Sequence, residues 1–376
     1  MISGERLKFA REFRALTQTE LARQIGIAQP TVAQIEGGFK QPSIPVLESL
    51  ALKTGFPLAF FRQGPPPDFP LGSLLFRSQA AFTSRERSRA FRHSQLAYEI
   101  YGVVKGLLAP RLKLPDMRLP KLSGVAIKEA ASLTRDALGI PPDQPIANLT
   151  HAAESAGVLV FMLPAAIEKG DAFSAWVGAN TDVPMIAIGA GAPGDRIRMS
   201  MAHELGELVL HHTLRGRLDE MEREACQFAA ELLMPEDAIR PELIAPITLT
   251  QVARLKPRWK VSIQALIRRA YELQVITRRQ YTYLFEQLST LGWRLREPDN
   301  LNVAVERARG LRKLIEIRYG NPPNYERLAS DTRLSVHIVR RFVEAQAEWP
   351  NGKTIEMPQR NQSADIIPFN STRRNH

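Results

Sequence analysis

Cysteine is almost missing from this sequence: Cys226 stands alone among 376 residues, which excludes an intramolecular disulfide. Long hydrophobic runs are missing as well, and no uninterrupted apolar stretch approaches the roughly 20 residues a membrane-spanning helix requires. The N-terminus carries no charged, apolar, small-residue succession of the secretory kind. A cytoplasmic protein without a membrane partner is the expectation. Acidic side chains are in deficit, 39 against 50 Lys and Arg, for a formal charge of +11. A hydrophobic content of 44% supplies real cores and excludes disorder throughout, and the length admits two or three domains.

The basic excess is uneven. Residues 1–63 carry 8 basic and 5 acidic side chains and residues 77–121 carry 10 and 3, whereas 122–350 are balanced at 28 of each. A positive field concentrated in the N-terminal third favours a polyanion such as DNA near that end.

Residues 4–15 place Leu7, Ala10 and Phe13 at helical spacing. Thr17 precedes a second helix with Glu20 three residues on, a capping box. Gly26 ends that helix, where the chain must enter a left-handed turn. A third helix spans 29–36, with Pro30 in its first turn, where a missing N–H costs nothing. Two short helices joined by a Gly-containing turn have helix-turn-helix geometry. The succession Leu16-Thr17-Gln18-Thr19-Glu20-Leu21-Ala22, Gly26 to Gly38, Pro42-Ser43, Leu47 and Leu50-Ala51 resembles the Cro/CI-type (XRE) DNA-binding domain, a five-helix lambda-repressor-like fold. In that family the second helix of the motif enters the major groove. The resemblance implies Gln29, Thr31 and Gln34 at base edges, Gln amides being able to bond adenine twice. Arg11, Gln18 and Lys40 are then the expected phosphate contacts, and Val32 and Ile35 should pack inward.

Gly64-Pro65-Pro66-Pro67 reads as a stiff linker. A long basic helix follows, from Ser84 as N-cap to about Leu108, with Leu96, Ile100, Val103 and Leu107 as its apolar stripe. Its expected role is connector or dimer contact. Beyond residue 124 two helices precede an apolar strand at 158–163 and two further short strands, at 173–177 and 185–188.

A helix beginning near Asp195 carries His203, Glu207 and His211 four residues apart, so the three project from nearly one side. With Glu204 this is almost H-E-x-x-H, in which two His hold zinc and the Glu is the general base. The second His is replaced by Glu207. His211 stands two turns from His203, about 12 Å along the axis, too far to share one tetrahedral ion. Cys226, two residues from Glu224 on the next helix, reads as a small buried residue. The phrases Met201-Ala202-His203-Glu204-Leu205-Gly206, Leu210-His211, Glu222-Arg223-Glu224-Ala225 and Phe228 to Pro235 resemble the ImmA/IrrE metallopeptidase-like family. What this implies is a zincin-like domain whose working members are zinc endopeptidases that cleave DNA-bound repressors. Residue by residue, His203 matches the first metal ligand, Glu204 the general base and Glu224 the acidic third ligand, with Glu207 where the family has its second His. A His/Glu/Glu set is harder and more anionic, suited to manganese as well as zinc, and the domain could equally have lost its metal.

Residues 246–349 read as helices, with Ser262 as a cap and Leu266, Ala270 and Leu273 on a buried face, and 350–376 as a disordered tail. The expected protein is mainly α with a small α+β central domain. Its divisions are a DNA-binding domain at 1–63, a linker and connector helix at 64–121, a metallopeptidase-like domain at 122–245, a helical region at 246–349 and the tail. Two functions compete. One is a dimeric DNA-binding transcriptional regulator with a sensor or effector domain, acting on a double-stranded operator. The other is a metallo-endopeptidase that cleaves a repressor.

Overall fold

A computed structural model describes residues 1–69, 83–106, 113–115, 117, 123–163, 172–178, 182–189, 191–211 and 217–346. His212 and the tail expected from residue 350 lie outside these. The chain is mainly helical with one small sheet near its middle.

Five helices open the chain: α1 (Gly4–Phe13), α2 (Gln18–Ile25), α3 (Gln29–Glu36), α4 (Ile44–Thr54) and α5 (Leu58–Phe61). The capping box at the start of α2 is present, with Glu20 returning to the Thr17 backbone, and Gly26 ends the helix at φ 73°. Leu7, Leu21, Val32, Ile35 and Leu50 are buried at the centre, beside an edge-on and tilted cluster of Phe9, Phe56 and Phe60. Gly4 lets α1 land on the end of α3. A methyl group there would meet the Ile35 and Glu36 carbonyl oxygens at 2.3 and 2.4 Å.

The basic helix α6 (Ser84–Val104) begins one residue earlier than its sequence suggests. Thr83, not Ser84, is the cap and forms a capping box with Glu86. Its arginines are not all surface charges. Arg92 is buried and donates to Glu12 on α1 at 2.8 Å, while Glu99 accepts from Arg6 at 2.5 Å. These pairs lay α6 along α1.

The middle of the chain comprises α7 (Gly124–Ala137), α8 (Leu149–Ser155), β1 (Leu159–Met162), β2 (Ala172–Val177), β3 (Val183–Ile188), α9 (Gly194–Leu210), α10 (Leu218–Leu233) and α11 (Glu236–Ile239). The sheet order is β1-β3-β2, with β3 parallel to β1 and antiparallel to β2. Side chains alternate faces along a strand, and here both faces are covered, hence the nearly unbroken apolar runs. Val160, Met162, Ile186 and Ile188 join one core with α9, α10 and the helices α12 (Leu249–Trp259), α13 (Ile263–Glu272) and α14 (Arg278–Thr290). Leu159, Phe161, Phe173, Ala175 and Ala187 face a second core, shared with the N-terminal domain, α6, α15 (Gly310–Tyr319), α16 (Tyr325–Thr332) and α17 (Val336–Ala345). Gln346, at the end of α17, completes the edge of β1: its side-chain oxygen accepts from the Met162 amide at 2.8 Å and its Nε2 donates to the Met162 carbonyl at 3.1 Å.

Two buried ion clusters fix α9. Lys256 of α12 is 2% exposed and bridges Asp195 and Glu297. Arg198, 1% exposed, is paired with Glu306, whose other oxygen accepts from the Thr150 amide at 2.9 Å. The segment carrying Glu306 runs so close to the start of α9 that a methyl group on Gly194 would meet the Val303 carbonyl oxygen at 2.3 Å.

Candidate functional site

The first candidate surface is α3. Val32 and Ile35 are buried, as their spacing requires, leaving Gln34 exposed and Gln29 and Thr31 half-exposed. The amides are held in a chain. Gln29 donates to Gln18 at 2.8 Å, Gln18 donates to Glu36 at 2.8 Å, and Glu36 accepts from Arg11 at 2.6 and 3.0 Å. Arg11 also donates to the Leu16 carbonyl at 2.8 Å. Arg11 was expected at a phosphate, and the structure turns it inward. Its side chain is 10% exposed, and its guanidinium anchors the amide chain because a buried charge needs a partner. Burial pulls the Arg11 pKa down, but the hydrogen bond and charge of Glu36 more than offset this, leaving it raised. Lys40, in the loop after α3, is exposed.

The second candidate lies between α9 and α10. Glu204 and Glu207 are both buried, 7% and 8% exposed. His203 Nε2 stands 3.3 Å from Glu207 Oε1 and 3.5 Å from Glu222 Oε1, and its Nδ1 lies 3.6 Å from Cys226 Sγ. His203, Glu222 and Cys226 can offer ligand atoms that all lie within 4.8 Å of one another. Glu224 is elsewhere. Its Oε2 is 3.4 Å from His211 Nε2, and its pKa is raised by burial and secondarily by Glu220. The structure therefore does not bring Glu224 to His203. The reason is helical geometry: residues 222 and 226 are four apart and share a face, whereas 224 is rotated about 200° from 222. That i, i+4 pair was the overlooked sequence signal, and Cys226 faces His203 rather than filling a core. Arg198, five residues before His203 on α9, is committed to Glu306 and not to the site carboxylates.

An implied zinc can be tested against these donors. Imidazole, thiolate and carboxylate are the ligand types zinc takes, and Glu207 adds a second carboxylate beside His203. The set around His203 fits such an ion; the set that includes Glu224 does not converge.

Residues 4–61 match a helix-turn-helix domain and residues 153–271 match the IrrE N-terminal-like domain, a peptidase family. No curated protein matches the chain. Among solved structures it is similar to Bacillus thuringiensis PlcR, crystallised with the peptide PapR7 and DNA, at 14% identity over 79% of this chain and 98% of that one. The TM-score is 0.15, too low to carry an argument. The two matched segments fall in the two regions built above, and the chain accordingly carries a helix-turn-helix domain at residues 4–61 and an IrrE N-terminal-like domain at residues 153–271.

Proposed function

We propose that this chain is a sequence-specific DNA-binding transcriptional regulator, acting as a homodimer, whose IrrE-like domain serves as sensor or effector. In this reading α3 enters the major groove, Gln29, Thr31 and Gln34 meet base edges, and Gln18 and Lys40 meet phosphates. The observation that carries it is the Arg11–Glu36–Gln18–Gln29 chain. It fixes two amide side chains beside the exposed Gln34, and preorganised amides lose little freedom on binding. The test is selection of bound duplexes by the full chain, followed by affinity measurements on Gln29→Ala and Gln34→Ala. Each base contact removed should cost about 1 to 3 kcal/mol and relax preference at one position. Unchanged affinity and preference in both variants would sink the assignment.

The metal belongs to the same proposal. His203, Cys226 and Glu222 would hold zinc, with Glu207 beside them, and a bound ion would supply Lewis-acid chemistry. A second reading, a metallo-endopeptidase cleaving a repressor protein, is favoured by one observation: Glu204, the residue matching the general base, is buried next to His203 on α9. Metal analysis of the purified chain and cleavage assays on Glu204→Gln separate the two. Stoichiometric metal with cleavage that the variant cannot perform establishes the peptidase; metal without cleavage leaves the regulator.

A further inference from the structure

The junction between the N-terminal domain, α6 and α17 collects positive charge that no carboxylate among the described residues answers. Arg14, at the end of α1, donates to the Thr54 carbonyl at 2.5 Å and lies over the Phe13 ring at 5.5 Å. The ring of His93 from α6 lies 4.1 Å from that of Phe13. His93 is 6% exposed, and its Nε2 has no hydrogen-bond partner among the described residues; neither has the buried Nε of Arg89, one turn before it. Arg341 of α17 acts electrostatically on Arg14, Arg89 and His93 alike. Among the described residues, no acidic group features among the charges that act on these three. Glu12, the nearest acidic residue in sequence, is committed to Arg92 and Arg11.

Such an arrangement is costly as it stands. Desolvated charges are normally paired, and an orphaned buried donor or acceptor loses its hydration without compensation. Burial, and then the neighbouring arginines, push the Arg14 and Arg89 guanidiniums down, and the same causes drive His93 to about 3. We propose that Arg14, Arg89, Arg341 and His93 form a binding site for a small phosphate-bearing oxyanion. A phosphate group presents several acceptor oxygens and nearly two negative charges, which matches guanidinium forks approaching from different helices; a single carboxylate would leave the set undersatisfied. His93 Nε2, protonated as the neutral imidazole, donates the remaining hydrogen bond. The bound anion ties α1 of the DNA-binding domain to α6 and α17, so its presence or absence alters how firmly that domain is held. A duplex backbone is the poorer occupant, since His93 and the Arg89 Nε lie beneath the surface.

The experiment uses the full chain and inorganic phosphate. Thermal unfolding is followed during titration with sodium phosphate, against sodium chloride at matched ionic strength, for the wild type and for Arg341→Gln, a change at an exposed rim position. The wild type should gain melting temperature saturably with phosphate and not with chloride. Arg341→Gln should weaken phosphate at least tenfold and, by relieving like-charge repulsion, melt no lower than wild type in phosphate-free buffer. No phosphate-specific gain in the wild type overturns the proposal, and so does an undiminished response in the variant. A variant that melts lower without phosphate shows that the cluster is already neutralised and overturns it too. Loss of duplex binding in Arg341→Gln with no phosphate response reassigns the arginines to the DNA backbone.

Discussion

Glu36 is the residue on which the amide chain depends, and Glu36→Ala is the most informative single change in the N-terminal domain. Its side chain is 4% exposed, and that of its partner Arg11 is 10% exposed. Removing the carboxylate leaves the buried guanidinium with the Leu16 carbonyl and a long 3.5 Å contact to Glu12, which costs about 3 kcal/mol, and it releases the Gln18 amide, for about 1 kcal/mol more. Arginine stays charged at every accessible pH, so the penalty does not fade with pH. Hydrogen exchange on the full chain is the suitable assay, because it reads α1 to α3 separately from the other core. A loss of about 4 kcal/mol corresponds to protection lower by about a thousandfold in these helices. Glu36→Gln, which keeps the shape but not the charge, should lose less. The double variant Arg11→Met, Glu36→Leu should recover most of the loss, since an apolar pair removes the stranded charge. Protection falling less than tenfold in Glu36→Ala, or a double variant no better than the single one, would refute the reasoning.

Glu154 gives a pH signature. Burial, only partly offset by hydrogen bonds from the Gly310 and Arg309 amides, raises its pKa from 4.5 to about 7. The folded state therefore holds a proton that the unfolded chain has lost, so stability should fall by up to about 3 kcal/mol as pH rises from 4.5 to 7 and then level off. Urea midpoints for wild type and Glu154→Gln across that range check this; the variant should lose that part of the slope. Lys256→Met strands Asp195 and Glu297 in a site where the lysine is 2% exposed. It should destabilise the core around α9 by about 3 to 5 kcal/mol, read as a lower urea midpoint. At the proposed zinc site, Cys226→Ala should weaken zinc by at least tenfold while Glu224→Ala leaves it within about threefold, by competition with a chromophoric chelator. The reverse order would restore Glu224 as the ligand.

Much of the N-terminal domain was legible because its signals are local. Thr17 and Glu20 are three residues apart, Gly26 needs a left-handed turn, and Val32 and Ile35 fall on one face whatever surrounds them. The three strands were legible for a similar reason, since β-strands covered on both faces leave apolar runs. Arg11 and Glu224 were not. Arg11 has the same sequence appearance whether it meets a phosphate or Glu36, and the choice depends on how α1 lands on α3. Glu224 belongs to the right helix, but which face of α10 looks at His203 follows from the packing of α9 against α10, where Gly206 lies under the Phe228 ring.

By itself the sequence determined the elements: which segments are helices, where they are capped, and that His203 and Glu207 share a face of one of them. These follow from bonds and spacings within a few residues. Tertiary structure alone decided which charges meet. It sent Arg11 inward to Glu36, set Glu222 and Cys226 rather than Glu224 beside His203, and buried His93 against Phe13 with its Nε2 unpartnered among the described residues. Such encounters join residues tens to hundreds of positions apart, and their energies depend on burial and orientation, which no local pattern encodes.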